Sequence, residues 1–90
     1  MSVSNQEIEP LDLECLELYA KEILDRVSLN VIKYRKEKNI SQLELAKAIG
    51  YKSAAYIGKA EIRKDNQHFN IKQIAKISKV LNKDIALFFQ

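Results

Sequence analysis

Apolar residues recur along this chain at intervals of three and four, the period of amphipathic helices. From Pro10 to Val27, Leu13, Leu16, Ala20, Ile23 and Val27 form one stripe, which Leu11, Cys15, Leu18 and Leu24 widen. Pro10 suits the first turn of that helix, and Asp12 and Glu14 suit its positive end. Ser28 to Lys38 reads as a second helix, with Leu29, Val31 and Ile32 inward and Lys33, Lys36 and Lys38 outward. It is either continuous with the first or restarted by a Ser28 cap, since no Gly or Pro forces a break. Asn39 suits the left-handed residue that stops a helix. Ser41 and Glu44 then form a capping box for a helix whose apolar side is Leu43, Leu45, Ala46 and Ile49. Gly50 reverses the chain. Ser53 is placed to cap the next helix, with Ile57 and Ala60 inward and Ala54, Ala55, Tyr56 and Lys59 outward or on the rim. Residues 62–69 read as a basic polar loop. Asn70 caps a helix with Ile71, Ile74, Ala75, Ser78 and Leu81 on one stripe, broadened by Ile77 and Val80 and ended by Asn82. Asp84 starts a short last helix through Phe88 and Phe89.

Composition agrees. Ninety residues make one small domain with an appended arm, and two Gly and one Pro favour an all-α fold over a turn-rich β fold. A core this small is marginal, so a second subunit would help. One Cys and one His exclude a disulfide framework and a protein-built metal site, and a lone Cys suits a reducing cytoplasm. No apolar run approaches the ~18 residues that span a membrane, and the opening residues lack the basic start and apolar core of a secretion signal.

Charge changes the picture more. Residues 1–28 carry seven acids and two bases, a net −5, whereas residues 29–90 carry thirteen bases and five acids, a net +8. The chain therefore divides into an acidic leader, 1–28, and a basic domain, 29–90, and the overall +3 conceals the difference. A basic domain suits a polyanionic partner.

Two short helices about a tight turn, with small and polar residues outward on the second, are a layout that can enter a DNA major groove. The strings IKYRKEKNISQLELAKAIGY, SAAYIGKAE and NIKQIAKISKVLNKDIALFF, in that order, resemble the lambda-repressor-like (XRE) helix-turn-helix family over Leu29 to Phe89. Their spacing is also similar to that of restriction–modification controller proteins and short antitoxins. The resemblance implies a five-helix DNA-binding domain, here with an extra N-terminal helix, acting as a symmetric dimer on double-stranded DNA with an inverted repeat and needing no cofactor. It implies that Gln42 meets a phosphate and braces the recognition helix. It also implies that Arg35 and Glu61 pair to tie the first helix to the end of the recognition helix, a fold role before a binding one.

The recognition helix departs from the family pattern. The turn before it is one residue longer, and Ala54 and Ala55 occupy positions expected to face bases, where a methyl group can only touch thymine or leave room. Polar readout then falls on Ser53, Tyr56 and Lys59, with Lys52 at the edge. Lys59 reads either a guanine edge or a phosphate, and Tyr56 suits a phosphate or sugar. Gly58 either permits close approach to the DNA backbone or is a tolerated glycine on an exposed face. Arg63, Lys64, Asn66 and Gln67 are placed to run along phosphates; the alternative is a solvated loop. His68 beside Phe69 reads as a loop or packing residue.

Two surfaces are candidates for the dimer: the terminal pair Phe88 and Phe89, one of which closes the core and leaves the other free, and the leader stripe, including Leu16 and Ile23. The stripe must be buried on its own domain or on another chain. The leader could instead shield the basic face or hold a protein partner. Catalysis is not expected: no nucleophile sits beside a base, and there is no phosphate-cradling loop. The rival to a DNA-binding regulator is a protein-interaction module that keeps the helix-turn-helix fold.

Overall fold

The computed structural model describes residues 10–90, so Glu7 and Glu9 of the acidic leader lie outside the described residues. Among the described residues there are four α-helices, α1 (Leu13–Glu37), α2 (Gln42–Ala48), α3 (Ala55–Glu61) and α4 (Ile71–Leu81). Two short 3₁₀ segments, Lys64–Asn66 and Ile85–Phe89, complete them, and the described residues contain no strand.

The leader is not a separate helix. It runs without interruption into the domain as the first half of the 25-residue α1. Of the two alternatives the continuous one holds: the stripe stays in phase across Ser28, because Val27, Val31 and Tyr34, which are sealed in the core, continue the spacing of Leu16, Ala20 and Ile23. Ser28 caps nothing; it is fully buried and donates its hydroxyl to the Ala60 carbonyl at 2.8 Å. The boundary expected at residue 28 thus has no counterpart in the backbone. Pro10 lies two residues ahead of the true cap, Asp12, whose carboxylate accepts the Glu14 N–H at 3.0 Å. Leu29, expected inward, points away from the core and is 65% exposed.

The punctuation of the later helices is local. Ser41 and Glu44 close a reciprocal capping box on α2, and the backbone and hydroxyl of Ser41 hold the Glu44 carboxyl below its ordinary pKa. Asn70 and Gln73 do the same for α4. Asn39 and Asn82 take the left-handed conformation at the ends of α1 and α4, and Gly50 turns the chain at φ +101°. Ser53 is one residue too early: the cap position of α3 is Ala54, and the Ser53 hydroxyl accepts only a long 3.4 Å bond from the Ala55 N–H.

The core gathers Val27, Val31 and Tyr34 of α1, Leu45, Ala46 and Ile49, Ile57 and Ala60 of α3, Phe69, and Ile74, Ile77 and Leu81 of α4. Leu43, Ile71 and Ala75, expected in these stripes, stand at the surface. The last helix is a five-residue 3₁₀ turn capped by Asp84 and laid on α1. Phe88 is wholly buried there, edge-on to Tyr34 at 5.3 Å, so it is unavailable as a dimer contact. Phe89 is half-buried against the same core rather than free. Asn30 fastens the chain end by donating to the Phe88 and Gln90 carbonyls, each at 2.9 Å.

Gly50 tests the turn. A Cβ there would meet nothing within 4 Å, so Gly50→Ala adds backbone strain without a clash. Chemical denaturation should show a loss of about 1 kcal/mol or slightly more, with the denaturant slope unchanged.

Candidate nucleic-acid interface

Helix α3 is seven residues long, has no side-chain cap and contains Gly58, so its own propensity does little to keep it helical or aimed. Neighbouring side chains hold it. Arg35, near the end of α1, meets Glu61, the last residue of α3, through two parallel bonds: Nε to Oε2 at 2.7 Å and Nη2 to Oε1 at 3.0 Å. Both residues are more than nine-tenths buried. The remaining Arg35 nitrogen, Nη1, donates to the Ile40 carbonyl at 2.9 Å. Gln42 Nε2, in the first turn of α2, donates to Glu61 Oε1 at 2.9 Å. One carboxylate thus joins α1, α2 and α3, and Arg35 extends the hub to the α1–α2 turn.

Gln42 lies between this hub and the surface, half exposed. Gly58 faces it: a Cβ at Gly58 would come within 3.4 Å of Gln42 Oε1. The glycine therefore lies against the glutamine, half-buried rather than on an open face, and a methyl group there would make an ordinary contact. Around it, Lys52, Ser53, Ala55 and Lys59 are exposed and Ala54 is half-buried, while Ile57 and Ala60 anchor the opposite side.

Two expected contact residues are engaged within the protein. The Tyr56 hydroxyl lies within hydrogen-bond reach of the His68 carbonyl and of Gln73 Oε1, the latter at 2.7 Å. Its ring stacks on Tyr51 at 5.3 Å and meets Phe69 edge-on at 5.9 Å. Gln73 also donates to the Tyr51 hydroxyl, so this amide fixes both tyrosines while capping α4. Partial burial and the neighbouring Tyr51 raise the Tyr56 pKa, which keeps its proton available as a donor. Tyr56 is therefore a fastener between α3 and the loop ahead of α4, not a free side chain for phosphate or sugar.

Arg63 is the second correction. Its Nε meets Asp25 of α1 at 2.9 Å, and its Nη1 donates to the Asn66 and Gln67 carbonyls at 3.1 and 2.7 Å. Only 13% of the side chain is exposed. The physical reason is the loop's shape. Arg63, Asp65 and Asn66 all have positive φ, which turns carbonyls inward where the guanidinium collects them. Lys64 and the Asn66 side chain remain at the surface, and Gln67 is half-buried. His68 is an exposed loop residue. The Asp25 link, the Gln73 clamp and Asn30 have no counterpart in the sequence reading, because each joins segments far apart in the chain.

An all-helical fold in which a short helix is braced across a tight turn and presents an exposed face defines the helix-turn-helix class. A family model described as Helix-turn-helix matches residues 31–88, and the chain belongs to this family of lambda-repressor-like, DNA-binding regulators. No curated protein and no solved structure matches. No helix among the described residues is long and apolar enough to cross a membrane.

The hub and the loop respond differently to perturbation. Glu61→Gln removes the charge matching buried Arg35 and should cost about 3 kcal/mol in chemical denaturation. Asp25, by contrast, has its pKa lowered by hydrogen bonds from Lys21 and then Arg63. Its contribution is therefore present above the ordinary aspartate range and lost as pH falls below that range through the lowered value. Acid titration of Asp25→Asn should show a shallower decline over that window than the parent chain.

Proposed function

We propose that the protein is a sequence-selective, double-stranded-DNA-binding transcriptional regulator. Two copies would act in the cytoplasm on an inverted repeat at its own or a neighbouring promoter, as a repressor or controller. The observation that carries this reading is the buried Arg35–Glu61–Gln42 hub, which rigidly aims a helix too short to aim itself. A cytoplasmic site suits the exposed free thiol of Cys15.

Base-edge contact falls to Lys59 and Ser53. Lys59 supplies donors for guanine O6 and N7. Ala54 and Ala55 contribute thymine-methyl contact or space for close approach. Lys52, Lys64 and Asn66 run along phosphates, with Gln42 at the start of α2. With so few polar groups on α3, a share of selectivity comes from the shape and stiffness of the DNA. Binding by this mechanism is occupancy of the promoter, which blocks or recruits polymerase.

A protein-interaction module such as an antitoxin is the second reading. It is favoured by Ala54 and Ala55 at the start of α3 and by the exposed apolar half of α1. Salt dependence separates the two readings. The regulator loses DNA affinity steeply as salt rises, with a slope of ~0.9 per phosphate neutralised, whereas the module forms a stable heteromer with flat salt dependence.

Selection of bound duplexes from a random pool at near-physiological salt should recover an inverted repeat with half-site centres about 34 Å apart. Recovery of unselected sequence would sink the regulator reading. On the recovered site, Lys59→Ala should relax preference at one base position in each half-site, by ~1–3 kcal/mol of discrimination. An even loss of affinity for every sequence would make Lys59 a phosphate contact instead.

A further inference from the structure

The Arg35–Glu61–Gln42 hub holds α3 by its last residue. Base edges are met by the opposite end, since a recognition helix reads DNA with its N-terminal residues. Tyr56, the second residue of α3, lies about 8 Å along the helix from Glu61. Local bonds do little to fix that reading end. Helix α3 has no side-chain cap, and the turn before it offers the long 3.4 Å bond from the Ala55 N–H to the Ser53 hydroxyl.

The reading end is held from α4. Lys52, Ser53, Ala54 and Ala55 stand between two tyrosines, Tyr51 and Tyr56, whose rings stack at 5.3 Å. Both hydroxyls meet one side chain, that of Gln73 in the first turn of α4. The Asn70 N–H donates to Gln73 Oε1 at 2.8 Å, which settles which way the amide points. Oε1 also accepts from Tyr56 at 2.7 Å, and Nε2 donates to Tyr51. Gln73 rides on a rigid element, because Ile74, Ile77 and Leu81 of the same helix are sealed in the core. Both ends of the turn are thus pinned to a single amide.

We propose that Gln73 is a positioning residue for base recognition: through the Tyr51 and Tyr56 hydroxyls it sets where Lys52, Ser53, Ala54 and Ala55 stand against the duplex. The proposal rests on the DNA-reading regulator described above and names the residue that gives its reading precision. Contact through methyl groups is short-ranged and fades with a small displacement, whereas a lysine on its flexible stem follows a phosphate. Loosening the clamp should therefore cost discrimination between sequences. Sequence-independent affinity and its salt slope should stay in place, because the lysines are unchanged.

The test uses the full chain and two duplexes, the selected operator and a scrambled one of equal length. The quantity read is the ratio of the two affinities, at a temperature where circular dichroism shows every variant folded. Tyr51→Phe keeps the ring and the α4 capping box but removes the hydroxyl that Gln73 holds, and should lower the ratio about fivefold. Gln73→Met removes both bonds and should lower it on the order of twentyfold. Gln73→Glu keeps an acceptor for Asn70 and Tyr56, and the Tyr51 hydroxyl can donate to its second oxygen. It should restore the ratio that Gln73→Met loses, since its added charge weakens both complexes alike. Asn70→Ala removes the side-chain cap of α4 while leaving both tyrosine bonds, so it loosens the helix and should keep the parent's ratio.

A ratio unchanged in Tyr51→Phe or in Gln73→Met would overturn the proposal, while the parent's preference for its operator keeps the regulator reading. A ratio that falls as far in Asn70→Ala, or is not restored by Gln73→Glu, would mean general loosening of α4 and would overturn it too. A parent chain that yields no preferred duplex removes the regulator reading and the proposal together.

Discussion

The fold depends on one buried carboxylate. Glu61 lies at the end of a helix too short to be stable alone, and its two oxygens accept from Arg35 twice and from Gln42 once. Removing two charges from water is costly, and their mutual attraction only offsets that loss when every donor and acceptor is matched. Here they are matched, since the last Arg35 nitrogen finds the Ile40 carbonyl. A hydrophobic pair could supply similar stability. It would not supply direction, because apolar contacts tolerate sliding and two parallel hydrogen bonds do not. The ion pair fixes the angle of α3 against α1 and α2, and the exposed face of α3 inherits that angle.

Features written locally in the sequence were legible. The capping box of Ser41–Glu44, the Asn70 cap, the left-handed asparagines and the turn at Gly50 each rest on residues within four positions of one another, and the structure has them where the residues indicate. The core stripe of α1 was legible too, but not its extent, because only tertiary burial distinguishes a long helix from two abutting ones. Apolar identity misled at Leu29, Leu43 and Ile71, which a soluble surface tolerates singly. The Arg35–Glu61 pair, 26 residues apart, was accessible only through resemblance to a family.

The exposed site was read less well than the fold, for a related reason. Side-chain chemistry in sequence says what a residue can do, not what already occupies it. Arg63 has the chemistry of a phosphate ligand, yet a loop with three left-handed residues and the carboxylate of Asp25 hold it first. Tyr56 similarly has its hydroxyl taken up by the segment leading into α4. What remains outward on α3 and the turn before it is sparse: Lys52, Ser53, Lys59 and methyl groups. Such a surface fits DNA more through close approach than through many directed bonds.

The unbroken course of α1 has a consequence for how its two halves come to be ordered. Starting a helix is unfavourable, while extending one is nearly neutral. The packed half, from Val27 onward, supplies the start, and the bare half grows from it toward Asp12. That end should fray in a graded way, its amides exchanging with solvent ever faster toward Leu13, while those beyond Val27 exchange only with global opening. A partner meeting the bare half therefore finds a helix already largely formed, and little ordering entropy is left to oppose its capture.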